Sequence, residues 1–88
     1  MYYDNWKNMI TDEMFDHGDC WENIIFQSLT HDELMKDFDA GYGSEYGKPF
    51  FVWTHDRVYF PVCYDGSEWV GSVPRHPTSE EPQHFGGG

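Results

Sequence analysis

The stretch Pro49-Phe50-Phe51-Val52-Trp53-Thr54-His55-Asp56-Arg57-Val58-Tyr59-Phe60-Pro61-Val62-Cys63-Tyr64-Asp65-Gly66-Ser67-Glu68-Trp69-Val70-Gly71-Ser72-Val73 decides the fold. Pro49 to Trp53 is aromatic and β-branched, the composition favoured on a pleated, half-buried surface. Thr54-His55-Asp56 resembles a hairpin connection, and Arg57 to Tyr64 alternates so that Val58, Phe60, Val62 and Tyr64 share one face. Asp65-Gly66 is a strong turn pair, after which Glu68 to Val73 resumes the alternation with Trp69 and Val73. The pattern predicts a three-stranded antiparallel meander over residues 49–74, with Val58, Phe60, Val62 and Trp69 on its inner face. Pro61 strains that reading, because it has no amide hydrogen and the strand carrying it would be central; a bulge or an edge position there resolves the conflict.

Upstream the period changes to that of helices. Thr30-His31-Asp32-Glu33 is a capping box: the Thr30 hydroxyl accepts from the Glu33 amide while Glu33 reaches back to the Thr30 amide. Leu34 and Phe38 follow at i,i+4 with Met35 beside them, and Gly41 supplies a C-terminal stop, which predicts a helix over about 31–40. Asp19-Cys20-Trp21-Glu22 is a second, weaker box, and Trp21, Ile24, Ile25, Phe26 and Leu29 give it an apolar helical face. Asp4 and Thr11 are candidate caps for helical turns carrying Trp6, Met9, Ile10, Met14 and Phe15, with Gly18 ending the second. Gly41 to Gly47 holds three glycines in seven residues and no periodicity, so it marks a loop. The expected architecture is α+β: short N-terminal helices packed on the meander's inner face.

This gives one domain over residues 1–76, made of an acidic helical half (1–40), a glycine-rich loop (41–48) and the meander (49–74). Residues 77–88, with Pro77, Pro82, Glu80, Glu81 and a terminal Gly86-Gly87-Gly88, form a tail expected to be extended or flexible, with Phe85 as its one apolar anchor. A Gly-Gly end also occurs in ubiquitin-like modifiers, but their fold starts with a hairpin, which this acidic helical N-terminus does not supply.

The chain has 88 residues, 16 Asp+Glu against 5 Lys+Arg, and a formal net charge of -11. A chain this short buries only about 60% of the surface that its unfolded form exposes, so nucleotide-binding Rossmann and barrel architectures do not fit. Seven Phe, six Tyr and four Trp make 19% of the chain, which supplies large buried area at low rotamer cost and argues against disorder. Phosphate backbones and anionic lipid headgroups attract Lys and Arg, so direct nucleic-acid or membrane-surface binding is disfavoured. The first 20 residues carry five acids and no apolar run, unlike a signal peptide, and no 18-residue apolar stretch is present; a cytoplasmic location is expected, within a bacterial host on the functional reading below. Cys20 and Cys63 are too few for a disulfide framework and read as free thiols in that compartment.

A zinc site can be drawn from His17, Cys20, Cys63 and one of His31, His55, His76 or His84, but structural zinc ligands come as two close pairs and Cys63 has no near partner. Small buried cysteines and surface histidines account for the same residues, so no metal or other cofactor is expected. No nucleophile elbow, phosphate-cradling loop or metalloprotease pair is present, and the expected role is not enzymatic. Asp12 with Glu13 and Asp32 with Glu33 are adjacent pairs whose side chains diverge by about 100° on a helix and do not share a substrate. They read as first-turn acids favoured by the helix dipole.

The charge is uneven. Residues 1–47 hold eleven acids against two bases, net -9, and residues 48–88 hold five acids against three bases, net -2. A magnitude of about 2–8 suffices to keep a small domain in solution, so the surplus carries a cost in self-repulsion that another role must justify. Carboxylates held on helix faces present a charge row like that of a nucleic acid, and such a row fits the basic groove of a nucleic-acid-binding protein. The candidate binding residues are Asp12, Glu13, Asp16, Asp19, Glu22, Asp32, Glu33, Asp37, Asp39 and Glu45, with aromatic anchors beside them. Asp32, Asp37 and Asp39, in or next to the best-marked helix, are expected to matter more than Glu80 and Glu81 of the tail.

In composition and layout the whole chain resembles the phage-encoded inhibitors that mimic nucleic acid: anti-CRISPR proteins, anti-restriction proteins and uracil-DNA glycosylase inhibitors. The aromatic hairpin from Phe50 to Val70, ending in Tyr64-Asp65-Gly66-Ser67-Glu68-Trp69, also looks like that of small uncharacterised phage and prophage proteins. Both are resemblances of type and transfer no functional residue. They imply a protein that works by binding a host protein, such as a CRISPR effector or restriction enzyme, and blocking its nucleic-acid site. The alternatives are an adaptor that docks through the aromatic hairpin, with Trp53, Tyr59 and Trp69 as anchors, and a small zinc-binding domain.

Overall fold

A computed structural model describes residues 3–39, 47–64, 67–82, 84 and 85. Its elements, in chain order, are β1 (Tyr3–Asp4), α1 (Trp6–Asp16), a 3-10 turn (Trp21–Asn23), β2 (Ile24–Gln27), α2 (His31–Met35), β3 (Phe38–Asp39), β4 (Val52–Thr54), β5 (Arg57–Tyr64) and β6 (Ser67–Pro74). The α+β expectation holds. The sheet, however, has four antiparallel strands in the order β2-β4-β5-β6, and β1 and β3 form a separate two-stranded pair.

α1 is one continuous helix rather than two turns. Its N-cap is Asn5, whose side chain accepts from the Asn8 amide at 2.8 Å, while Asp4 accepts from the Asn5 amide one residue earlier. Thr11, expected as a cap, lies mid-helix and donates its hydroxyl to the Lys7 carbonyl at 2.6 Å. Trp6, Ile10 and Met14, spaced four apart, form the buried stripe. Gly18 ends the helix as expected: at φ +69 it takes the left-handed conformation that lets its own amide reach Phe15 and the Asp19 amide reach Met14.

The helix expected over residues 19–29 is absent. Trp21–Asn23 makes a single 3-10 turn, and Ile24–Gln27 is an edge strand antiparallel to β4, with Phe26 opposite Trp53 and a bulge between Ile24 and Phe26. The β-branched Ile24-Ile25 pair favours the pleated backbone, and pairing with β4 supplies hydrogen bonds that an isolated helix of this length would have to find alone. The capping box at Thr30 is present in both halves, at 3.1 and 2.9 Å. Its helix is half the expected length, because Lys36 turns to extended geometry and Phe38 continues as β3 opposite Asp4. Leu34 and Phe38 still both point to the core, Leu34 from the helix and Phe38 from the strand. The stop expected at Gly41 and the Asp65-Gly66 turn lie outside the described residues, although Tyr64 and Ser67, which flank that turn, are paired.

β4 pairs only with Val58 and Tyr59 of β5, so beyond Tyr59 that side of β5 has no β4 neighbour. Pro61, opposite Val70 of β6, therefore meets no β4 carbonyl that would need its missing donor. The inner face is the reverse of the expected one. Val52, Tyr59, Val70 and Ser72 face α1 and are buried, whereas the row of Val58, Phe60, Val62 and Trp69 lies on the opposite face, where Val62 is buried beside Phe60 and Phe85, Val58 and Phe60 are half-buried and Trp69 is over a third exposed. The core joins Trp6, Ile10, Met14, Leu29, Leu34, Phe50, Val52, Tyr59 and Val70. Trp6 is its hub: the ring packs 4.8 Å from both Phe38 and Phe50, its Nε1 donates to the Lys48 carbonyl, and Gly47 lies so close beneath it that a Cβ there has no room.

After Pro74 the described residues have no regular structure, yet Arg75, Glu80 and Phe85 are anchored, Arg75 by its amide to the Asp56 carbonyl at 2.9 Å. Glu80 binds Arg57 on the helix side of the sheet, and Phe85 packs edge-on to Phe60 on the outer side, 5.2 Å between ring centres. Gly71 makes room for that ring, since a Cβ there would stand 2.8 Å from Phe85.

Thr30→Ala removes the cap of α2 and should lower stability by about 1 kcal/mol, read as a shifted midpoint in denaturant titration with an unchanged slope; an unshifted midpoint contradicts the cap.

Candidate functional site

Of the ten carboxylates expected to form one binding surface, eight fall into two groups of four: Glu13, Asp19, Glu33 and Asp37 are engaged within the chain, and Asp12, Asp16, Glu22 and Asp32 are not. Asp19 belongs to the interior architecture. Carried to the sheet by the Gly18 turn, it accepts from the Tyr59 hydroxyl and the Thr54 hydroxyl, both at 2.7 Å, from the Asn23 amide group at 3.0 Å and from the Cys20 backbone amide at 2.9 Å. Partial burial pushes its carboxyl up, but the donors from Thr54, Asn23, Tyr59 and Cys20 outweigh that and hold it below the usual carboxylate value. Burial, followed by the Asp19 carboxylate, drives the Tyr59 hydroxyl far above an ordinary tyrosine, so it stays a neutral donor.

Glu13 turns inward beside it. Its Oε2 accepts from the Ser72 hydroxyl at 2.7 Å and lies 3.0 Å from His17 Nε2. Ser72 in turn accepts from Arg57 Nε at 2.9 Å, and the Arg57 guanidinium, almost fully buried, meets Glu80 through two bonds of 2.6 and 3.0 Å. Arg57 lowers the Glu80 carboxyl and Glu80 raises the guanidinium, as expected of a bidentate pair. Glu33 is held by the Lys48 ammonium at 2.6 Å and by the Thr30 amide, which bring its carboxyl down to about 2. Asp37 accepts from the Asn5 side chain at 3.1 Å, and Asp39 lies in β3 opposite Tyr3. Glu45 lies outside the described residues.

Asp12, Asp16, Glu22 and Asp32 remain. All four are exposed, and among the described residues they make no hydrogen bond or ion pair. Asp12 and Asp16 stand four apart on the outer face of α1, and Phe15, 85% exposed, stands beside Asp16 on the same side. Sequence reasoning assigned Phe15 to the helix's apolar set; the signal that it points outward was present, since the Trp6-Ile10-Met14 stripe leaves it about 100° off the core direction. The divergence of the adjacent pairs is as expected: Asp12 points out and Glu13 in, Asp32 points out and Glu33 closes the capping box; Asp32 and Glu33 are first-turn acids as read, but Asp12 and Glu13 are not, because α1 starts at Trp6 and holds no acid in its first turn.

Nearly all of the positive charge is committed internally. Lys48 is paired with Glu33 and Arg57 with Glu80; Lys7 lies 4.6 Å over the Trp21 ring, and Arg75 donates to the Thr54 carbonyl while its guanidinium lies 5.8 Å from the Trp53 ring. Of the five bases only Lys36 has no such contact among the described residues. The free carboxylates on α1 therefore face solvent without an ion pair among the described residues.

Other expected groupings do not come together. Tyr59, counted among the hairpin anchors, is fully buried and unreachable by a partner, while Trp53 and Trp69 are partly exposed on the outer sheet face. His17 is occupied by Glu13, Cys20 and Cys63 are free thiols, and among the described residues no group of three or more His, Cys, Asp or Glu is placed to hold a metal. No helix among them is long and apolar enough to cross a membrane. Compared with known proteins, the chain matches no family model, no curated sequence and no solved structure.

Two outcomes are expected. Asp19→Ala leaves the buried Tyr59 hydroxyl without its acceptor and should cost about 1–3 kcal/mol; a double-mutant cycle with Tyr59→Phe that shows no coupling contradicts the bond. Because the Glu33 carboxyl is depressed in the folded chain, its contribution is complete above its ordinary value of 4.5 and disappears as the pH falls toward about 2. Glu33→Gln should accordingly weaken the acid dependence of the unfolding midpoint between about pH 5 and pH 2, and an unchanged pH profile contradicts the Lys48 pairing.

Proposed function

We propose that this protein is a non-enzymatic inhibitor that binds a basic, nucleic-acid-handling host protein, of the kind represented by CRISPR effectors and restriction enzymes, and occupies its nucleic-acid site. The observation that carries the reading is the outer face of α1, where Asp12, Phe15 and Asp16 are exposed and, among the described residues, uncommitted, while four of the chain's five Lys and Arg are engaged within it. Carboxylates four apart on a helix stand about 6 Å from one another on a rigid support. A basic groove attracts such a row over a distance and speeds encounter. Phe15 supplies what charge alone does not: an aromatic side chain that a partner's pocket can desolvate, next to charges that fix its register.

The contact surface is smaller than the ten carboxylates expected from sequence. Asp12 and Asp16 form its centre, Glu22 and Asp32 add to the field, and Glu13, Asp19 and Glu33 stabilise the fold that presents them. Glu80 is unsuitable as a neutral reference because it holds Arg57; Glu81, exposed in the tail, takes that place.

The test is binding to the host protein captured from a bacterial lysate. Asp12→Lys with Asp16→Lys, or Phe15→Ala, should weaken binding about tenfold or more, Glu81→Lys should leave it nearly unchanged, and duplex DNA or guide RNA should compete. Equal affinities for all variants, with binding insensitive to salt from about 50 to 500 mM, reject nucleic-acid mimicry.

A further inference from the structure

The sheet has a second face that the inhibitor reading leaves unused. Cross-strand pairing places Phe26, Trp53, Val58 and Val73 in one row across all four strands, with Phe60 opposite Gly71 and Val62 opposite Trp69 in the next two. No charged residue occurs in these rows; Arg57 and Glu68 alternate to the other face, against which α1 packs. Phe26, Phe51, Trp53, Trp69, Val73 and Phe85 are each between 38% and 56% exposed. Large aromatic side chains carry about 150–250 Å² each, so these residues leave about 500 Å² of apolar surface uncovered. The largest apolar patch on a small chain, of about 300–600 Å², is often a contact surface.

We propose that this outer sheet face is a self-association surface on which a second copy of the chain docks face to face. Charge selects the orientation in which that second copy approaches. Two chains of net charge -11 repel in most approaches. With outer faces together, each α1 lies on the far side of its own sheet, and the two sheets alone stand about 10 Å apart, beyond the screening length of about 8 Å. The uncharged face offers nothing to the cationic groove that the α1 carboxylates attract, so the two surfaces serve different partners. The rim is of mixed sign, with Arg75 at Trp53 and Asp56 exposed in the adjoining β4–β5 turn, as suits a two-fold contact in which one patch meets itself. The apolar area together with this rim approaches the roughly 800 Å² per partner of a stable interface. The product is a sandwich of two four-stranded sheets with acidic helices on both outsides.

Light scattering on the intact chain tests the proposal, since a monomer has a mass of 10.4 kDa and a dimer twice that, 20.8 kDa. The dimer mass should appear as concentration rises from about 1 to 500 μM and should persist at high salt, because apolar burial is not screened and repulsion between like chains is. Phe26→Lys with Trp53→Lys should return the mass to that of the monomer, even though the change lowers the net charge from -11 to -9 and so reduces general repulsion. Should that pair disturb folding by circular dichroism, Val73→Lys alone is the substitute. Asp12→Lys with Asp16→Lys should leave the dimer intact, which separates this proposal from the inhibitor reading. A monomer mass at every concentration, or a dimer that survives the lysine substitutions on this face, overturns it; the former would turn the search to a foreign apolar partner.

Discussion

The Tyr59 hydroxyl bound to Asp19 fixes which side of the sheet the helix covers, and the rest of the structure follows from it. Gly18 turns the chain so that Asp19 leaves α1 pointing at the sheet, where it gathers donors from the 3-10 turn, from Thr54 beside the β4–β5 connection and from Tyr59 in β5. A buried tyrosine needs a partner for its hydroxyl, and on this face it has one. The alternation of β5 and β6 then places Val70 and Ser72 inward with Tyr59, and Val58, Phe60 and Val62 on the opposite face. The seam between helix and sheet is thus polar at one end, where Glu13, Ser72, Arg57 and Glu80 continue the network, and apolar at the other, where Trp6 packs between Phe38 and Phe50. Among the described residues no buried side-chain polar atom is left without a partner, which is the condition under which such a network specifies one arrangement rather than several.

This seam divides the acids into two kinds. Removing a carboxylate that accepts from a buried hydroxyl or guanidinium leaves a desolvated group behind, so Glu13, Asp19 and Glu80 serve the fold. Glu80, and with it Glu33 at the surface, also recruits the scarce cations: Arg57 is consumed by Glu80 and Lys48 by Glu33. What reaches solvent at Asp12 and Asp16 of α1 is negative charge without an ion pair among the described residues, and self-repulsion among those groups is a standing cost that a basic partner would relieve. The same economy of charge leaves the outer sheet face neutral and apolar.

Features set by neighbouring residues were legible in the sequence, and those set by distant contacts were not. The Thr30 capping box and the Gly18 stop each depend on residues within four positions, and both are as read. The length of α2 is decided by β1, which draws Phe38 into a strand from 34 residues away, and no local signal at Lys36 announces it. The run from Trp21 to Leu29 fits a helical stripe and a β-branched strand about equally; the presence of β4 decides it. The strand alternation was visible, but the choice of inner face was not, because Val58, Phe60 and Val62 look more apolar than a row containing Arg57, Tyr59 and Ser72 until the partners of those polar groups are known. For the same reason composition identified the acidic surplus but could not separate Glu13, whose partner Ser72 is 59 residues away, from its neighbour Asp12, which has none among the described residues.

The division of the carboxylates between fold and surface is most directly tested by following individual side-chain carboxyl resonances by NMR through an acid titration of the intact chain. Asp19, Glu33 and Glu80 should titrate below the usual carboxylate range, Glu33 near 2, because each is held by donors in the folded chain. Ordinary titration of all three would mean that the polar seam and the Lys48 pairing do not hold the structure in the way described, and the assignment of the α1 face as the free surface would fall with them.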